Sequence, residues 1–273
     1  MRILLLNGNT DTSITTLLAE PQSNRDRATS AAATQQMTPA ATEGVTPAAR
    51  GSERRTGPVL IARDAAFHFL YPEVGELLAA LGLPVATWSP LEDEPLPEDC
   101  AAVVLPGGYP ELHAAALAEA ARSRGSLARA SREGVPIIAE CGGLLLLGQR
   151  LLDPSGEAWP MAGVLPFEGR PGALSLGYRH ARSERDGLLV RAGEDWRGHE
   201  FHRWQLHPCP TEPQGPSMWQ LEGWGVERTL EGWTTPTLHA SWLHVHWAGF
   251  PRIPLRLAAA IARAERRPRT GAF

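Results

Sequence analysis

No lysine occurs anywhere in the 273 residues, so all 26 basic side chains are arginine. That gap has chemical consequences. A Walker A phosphate loop needs its lysine and cannot exist here. Schiff-base and lysine general-base chemistry are excluded for the same reason. Cysteine is scarce as well: three residues, odd in number and unevenly spaced, make no disulfide framework, which points to a reducing cytoplasm. No apolar stretch approaches the roughly eighteen residues of a membrane span. The Leu4-Leu5-Leu6 run is too short for a signal-peptide core and meets Asn7 at once. A net charge of −4 leaves no basic footprint for nucleic acid. What is present is ample apolar material, 43% of the chain, enough for one large α/β domain or two small ones.

Texture along the chain divides it. Residues 1–20 read as a short strand, a polar turn and the start of a helix. Residues 21–57 are rich in Gln, Ser, Thr, Ala, Pro and Gly, hold no aromatic, and show no apolar period. Such a segment cannot bury enough surface to order itself and is expected to be a disordered linker. From residue 58 strands and helices alternate. Strands are predicted at Pro58–Ala62, Val85–Trp88 and Ala102–Leu105, with helices around Glu73–Leu81 and over a long Ala-rich stretch, Glu111–Arg132. This pattern predicts an α/β fold with a mostly parallel sheet flanked by helices. After about residue 160, short alternating segments (Leu174–His180, Gly187–Val190, His199–Trp204, Gly223–Arg228) predict antiparallel hairpins. Trp242–Trp247 reads as a strand and Leu255–Ala264 as a closing helix. The domain is expected to span 58–265, with a disordered tail at 266–273.

The most telling junction is the apolar strand Val135-Pro136-Ile137-Ile138-Ala139 running into Glu140-Cys141-Gly142-Gly143. A strand that turns sharply into a helix lifts the residue at the bend out of the sheet, beside free backbone N–H groups. Cysteine is the side chain with a useful anionic fraction near neutral pH, and a helix N-terminus is expected to lower its pKa. Cys141 is therefore the candidate nucleophile. Cys100 and Cys209 lack this setting and read as structural. A thiol that attacks an amide also needs an imidazole to protonate the leaving amine and donors for the oxyanion. His244 or His246 can supply the first, because strand alternation puts both on one face. The N–H groups of Gly142 and of Gly107 or Gly108 can supply the second, since glycine lets the backbone approach closely. A metal reading of His199-Glu200-Phe201-His202 fails on spacing, one residue short of the zincin pattern and on a predicted strand, so no metal is expected. The nine Trp residues read first as packing.

Four segments occur in order: Leu105-Pro106-Gly107-Gly108-Tyr109-Pro110-Glu111-Leu112, Ala139-Glu140-Cys141-Gly142-Gly143-Leu144, Arg197-Gly198-His199-Glu200-Phe201-His202, and Ala240-Ser241-Trp242-Leu243-His244-Val245-His246-Trp247-Ala248-Gly249. Together they resemble the C-terminal glutamine amidotransferase domain of the cobyrinic acid a,c-diamide synthases, over about residues 58–265. The resemblance implies a class I amidotransferase fold in which Cys141 attacks the glutamine side-chain amide and His244 moves the proton. It implies no cofactor in this chain. ATP and magnesium are expected only in a partner synthetase domain or subunit, which would amidate the a and c carboxylates of cobyrinate. Many class I amidotransferases carry Glu two residues after the catalytic His, where this chain has His246. The third catalytic partner is thus unassigned, with Glu200 and His246 as candidate orienting groups. Met1–Ser13 resembles the opening of the aspartate/glutamate/hydantoin racemases over some twenty residues and reads as a fused remnant or a mis-joined frame. Two other functions fit the same residues: a truncated, non-catalytic interaction module, and a Cys–His hydrolase acting on another amide.

Overall fold

In the computed structural model, the structure describes residues 57–209 and 217–265. The racemase-like opening, nearly all of the predicted linker and the predicted tail lie outside the described residues. In chain order the strands are β1 (Val59–Ala62), β2 (Phe67–Phe69), β3 (Val85–Trp88), β4 (Ala102–Leu105), β5 (Gly107–Gly108), β6 (Ile137–Glu140), β7 (Arg150–Leu152) and β8 (Ala158–Pro160). They continue with β9 (Phe167–Ser183), β10 (Asp195–Pro208), β11 (Trp219–Gly223), β12 (Val226–Glu231), β13 (Trp233–Thr235) and β14 (Leu238–Ser241). The helices are α1 (Glu73–Ala80), α2 (Ala114–Glu119), α3 (Ala121–Arg132), α4 (Gly142–Leu146) and α5 (Arg252–Glu265).

One sheet runs β13-β14-β6-β4-β1-β3, and every pairing in it is parallel except the β13–β14 hairpin. Its inner strands, VLIA in β1, AVVL in β4 and LHAS in β14, are buried at every position. Strands covered on both faces need near-continuous apolar runs, as in β1 and β4, whereas β14 also buries His239 and Ser241. The edge strand β3 alternates and is largely exposed. Leu105 pairs with Ala139 and Ser241 with Glu140, so β4, β6 and β14 end together. The segments that leave those ends carry Gly107, Cys141 and His244, at the carboxyl edge where α/β sheets form their crevices.

The C-terminal half departs from the hairpin expectation in detail. Leu174–His180 and His199–Trp204 are parts of one long antiparallel ribbon, β9 on β10, within a second sheet ordered β12-β11-β9-β7-β8. Gly187–Val190 is no strand, because Arg191 turns back and donates to the carbonyls of Gly187 and Val190. Gly223–Arg228 is a hairpin corner, between β11 and β12.

Two further expectations change for identifiable reasons. The long helix predicted at Glu111–Arg132 is broken at Ala120 (φ −72°, ψ 62°). Asp93, from a distant loop, accepts from the backbone N–H groups of Arg122 and Ser123 at 2.7 and 3.0 Å and starts α3 afresh. Trp242–Trp247 is not a strand. The Glu231 carboxylate accepts from the Trp242 N–H and the Ser241 hydroxyl, and that hydroxyl accepts from the Leu243 N–H. These side-chain acceptors take the donors that a ladder would use, and the chain bends away after Ser241.

Candidate active site

Cys141 sits on a strained bend. Its φ of 48° and ψ of −107° lie outside the regions favoured by side-chain-bearing residues. The neighbours explain why the bend holds. The Cys141 N–H donates to Ser241 O at 2.8 Å, tying the bend to β14, while Cys141 O accepts from the Leu144 N–H at 3.0 Å. A Cβ on Gly143 would come within 2.1 Å of Leu105 O, so α4 packs on β4 only because that atom is missing. The thiol is 6% exposed, and its Sγ lies 3.5 Å from Phe201 O on β10.

His244 approaches from the other side of the crevice. It is 4% exposed and exchanges both backbone hydrogen bonds with His199 of β10, each 2.9 Å. Phe69 meets its ring edge-on at 5.2 Å. Gly107 and Gly108 bridge the two halves. A Cβ on Gly107 would fall 2.6 Å from His244 Cε1, and one on Gly142 would fall 2.8 Å from Gly108 N. Gly107 thus presses on the imidazole, while Gly108 N lies against Gly142 beside the thiol. No hydrogen bond joins Sγ to the ring, and His244 Nδ1 is buried without a partner.

The electrostatics differ from the sequence expectation. Burial pushes the Cys141 thiol up to about 12; the Gly142 N–H works against the shift, and the carboxyls of Glu111, Glu140 and Glu200 add to it. The five-residue α4 is too short and too enclosed to offset that loss of water. Burial also lowers His244 to about 4, helped by His199 and His202. The resting pair is a neutral thiol and a neutral imidazole, not the lowered-pKa thiol read from the sequence.

A cavity of about 130 Å³ opens onto the thiol, walled in part by Gly108, Glu111, Gly142, Phe201 and Trp242. His244 is not among its lining residues. A larger depression of about 680 Å³ along β9–β12, bounded by Tyr178, Arg197, Glu222 and Arg228, holds neither Cys141 nor His244.

Comparison with known proteins decides what this arrangement belongs to. Residues 58–251 match the model of the CobB/CobQ-like glutamine amidotransferase domain. The chain belongs to that family. The cobyrinate a,c-diamide synthase of Gloeobacter violaceus is 44% identical over 190 residues, which are 69% of this chain and 40% of that protein. The hydrogenobyrinate a,c-diamide synthase of Streptomyces coelicolor is 41% identical over 202 residues, 72% of this chain and 39% of that protein. The chain therefore spans about two fifths of the length of the curated relatives it matches. A Thermotoga maritima structure described as PurLQS shares the fold with a TM-score of 0.54 at 14% identity, covering 77% of this chain and 100% of that one. The fold is the α/β fold of class I glutamine amidotransferases.

Within this amidotransferase domain the two candidate orienting groups do not touch the imidazole. Glu200 accepts from Arg179 Nε at 2.6 Å and Ser175 Oγ at 3.0 Å, and its Oε1 lies 3.2 Å from His202 Nε2. It is a buried structural hub, held as a carboxylate at about 2 by those partners against the cost of burial. His246 is exposed, lies 2.9 Å from Glu73 and meets Tyr71 edge-on. The carboxyl within reach of His244 Nδ1 is Glu140, at 3.9 Å, beyond hydrogen-bond length. Burial raises Glu140 to about 8, and Val245 N–H and Trp247 hold it in place. Sequence reasoning missed Gly198, whose added Cβ would meet His244 O at 2.5 Å, and Trp242, which stacks on His202 at 3.9 Å. The glycine in the Arg197-Gly198-His199 run was a usable signal, but nothing local indicates that it faces a histidine some forty-six positions on.

Proposed function

We propose that this chain is the glutaminase part of a cobyrinate or hydrogenobyrinate a,c-diamide synthase system. One observation carries the reading: a cysteine on a strained strand-to-helix bend, opening into a small cavity, inside the region matched by a glutamine amidotransferase family. In the proposed reaction, Cys141 Sγ attacks the side-chain amide carbon of glutamine, and its proton passes to His244. The carbonyl oxygen becomes an oxyanion facing the N–H groups of Gly142 and Gly108. His244 returns the proton to the amide nitrogen, which leaves as ammonia, and water then hydrolyses the glutamyl thioester. Ammonia passes to an ATP- and magnesium-dependent synthetase domain or subunit that amidates the corrinoid carboxylates. Sγ and the ring are not hydrogen-bonded at rest, so glutamine binding must bring them together; such contacts commonly tighten only in the substrate complex.

Ammonia release from glutamine tests this. We expect turnover that Cys141→Ala abolishes, and covalent labelling of Cys141 by a glutamine-mimicking chloroketone that free glutamine blocks. Equal ammonia release by the Cys141→Ala protein would sink the reading. Labelling that glutamine fails to block would favour a hydrolase for a different amide.

A further inference from the structure

We propose that Glu140 is the positioning residue for His244: its carboxylate accepts the imidazole Nδ1–H and so leaves Nε2 as the lone pair that takes the Cys141 proton. The inference rests on the glutamine reading above and assigns what fixes the proton carrier, not what binds substrate.

His244 is buried, and its Nδ1 has no hydrogen-bond partner among the described residues. A buried ring nitrogen left unpaired is costly unless a partner closes on it. Phe69 covers the ring edge-on, and Gly107 lies against Cε1, so neither supplies that partner. Among the described residues the one carboxyl within 4 Å of Nδ1 is Glu140, with Oε2 at 3.9 Å. Bringing the pair to hydrogen-bond length needs a movement of roughly 1 Å, and glutamine binding already has to draw the ring toward Sγ.

The place of Glu140 in the chain suits the role. It ends β6 and immediately precedes the nucleophile, so the group facing Nδ1 is covalently fixed to the Cys141 bend. Its carboxyl also accepts from the Val245 N–H and the Trp247 indole, which follow His244 in the chain. One side chain therefore ties the segment that carries the imidazole to the strand that carries the thiol. Both contacts use the carboxyl as an acceptor, and an acceptor at Nδ1 selects the Nδ1–H tautomer. The other carboxylates nearby are committed: Glu200 to Arg179 and His202, and Glu73 to His246. In the reaction the Sγ–H bond breaks and an Nε2–H bond forms. Nδ1 keeps its proton, Glu140 gains none, and the imidazolium forms beside an anion.

The charge of Glu140 gives the role a signature in pH. Burial raises this carboxyl to about 8, so its ionised fraction grows as pH rises through that value. The groups around it are His244 at 3.9 Å, and Cys141 and Tyr71, whose own pKa values its charge helps to raise. Glu73 also acts on Tyr71. The thiol, at about 12, and the imidazole, at about 4, lie well to either side. Glu140 does not line the cavity beside the thiol, so its loss should spare substrate binding.

The test measures ammonia release from glutamine by the full chain across about pH 6 to 10. We expect kcat/KM of the native chain to rise through a limb near pH 8. Glu140→Gln should lower kcat about 100-fold, change KM by less than about threefold, and abolish that limb. Unchanged kcat, or a fall that leaves the limb in place, would overturn the inference and reduce Glu140 to a packing role. A second measurement needs no substitution at this site: nitrogen-15 shifts of the His244 ring in the native chain. Protonation at Nδ1 is expected once Glu140 is ionised, about one unit above its pKa. Protonation at Nε2 there would overturn the inference even if the Glu140 variant failed to fold. Absence of ammonia release by the native chain would instead sink the glutamine reading, and the tautomer would still decide the role of Glu140.

Discussion

At the scale of single residues, small size matters more than charge. Cys141 keeps its bend because Gly142 and Gly143 let Gly108 and Leu105 approach, and Gly107 leaves room for the His244 ring. Gly107→Ala isolates that last contact. The new methyl would lie 2.6 Å from His244 Cε1, and the ring has little freedom, since its backbone is pinned to His199 and Phe69 closes on its edge. We expect kcat for glutamine to fall about 100-fold, the cost of a misplaced catalytic group, with a stability loss of about 1–3 kcal/mol, as for other overpacked sites. Unchanged kcat would show that His244 is not the proton carrier. The glycines were legible from sequence because turn chemistry is local. The ionisation of the thiol was not, because it is set first by burial, a property of the packed fold, and then by carboxyls that include the distant Glu111 and Glu200.

At the scale of elements, β10 does most to organise the site. It places Phe201 O against Sγ, bonds His244 through His199, and carries Glu200 together with His202, which lines the cavity. Gly198 is where β10 passes closest to the His244 segment. Gly198→Ala would set a methyl 2.5 Å from His244 O and 2.6 Å from Leu243 Cγ, and the backbone partner cannot move aside cheaply. We expect a loss of about 1–3 kcal/mol in urea unfolding, in the range of overpacked cores, together with reduced glutaminase activity. An unchanged midpoint would mean that the His199–His244 bridge does not hold the two layers together. The sequence marked this segment as a strand but not its length, because ribbon length depends on pairing with β9, which no local pattern encodes.

At the scale of the whole molecule, buried titratable groups make stability depend on pH with opposing signs. His239, in β14, is buried with Nδ1 unpartnered and is lowered by burial to about 3. Together with His244, it is neutral when folded but charges near pH 6.5 when unfolded. The unfolded chain therefore binds more protons below that pH, and the stability from these groups is lost as pH falls from about 6.5 toward 3. Glu140 and Glu231, raised by burial to about 8 and about 7, act in reverse. Their contribution is complete below the ordinary carboxyl pKa and is lost as pH rises through 7 to 8. His239→Gln should gain stability relative to the native chain between about pH 6.5 and pH 5, and show no such trend above pH 7. Urea midpoints at pH 5 and 7.5 check this, and a constant difference between the two proteins would refute it.

By itself the sequence determined the α/β alternation from residue 58, the Cys141 bend and the family, because apolar runs, glycine turns and ordered motifs are written in neighbouring residues. Only the tertiary structure decided that α3 starts at an Asp93 cap, that Trp242–Trp247 leaves the sheet, that Glu200 serves Arg179 and not His244, and that Glu111 stands buried beside the thiol. Those outcomes depend on which distant groups meet and on how much water they exclude. Pairing and desolvation of that kind are properties of the assembled fold.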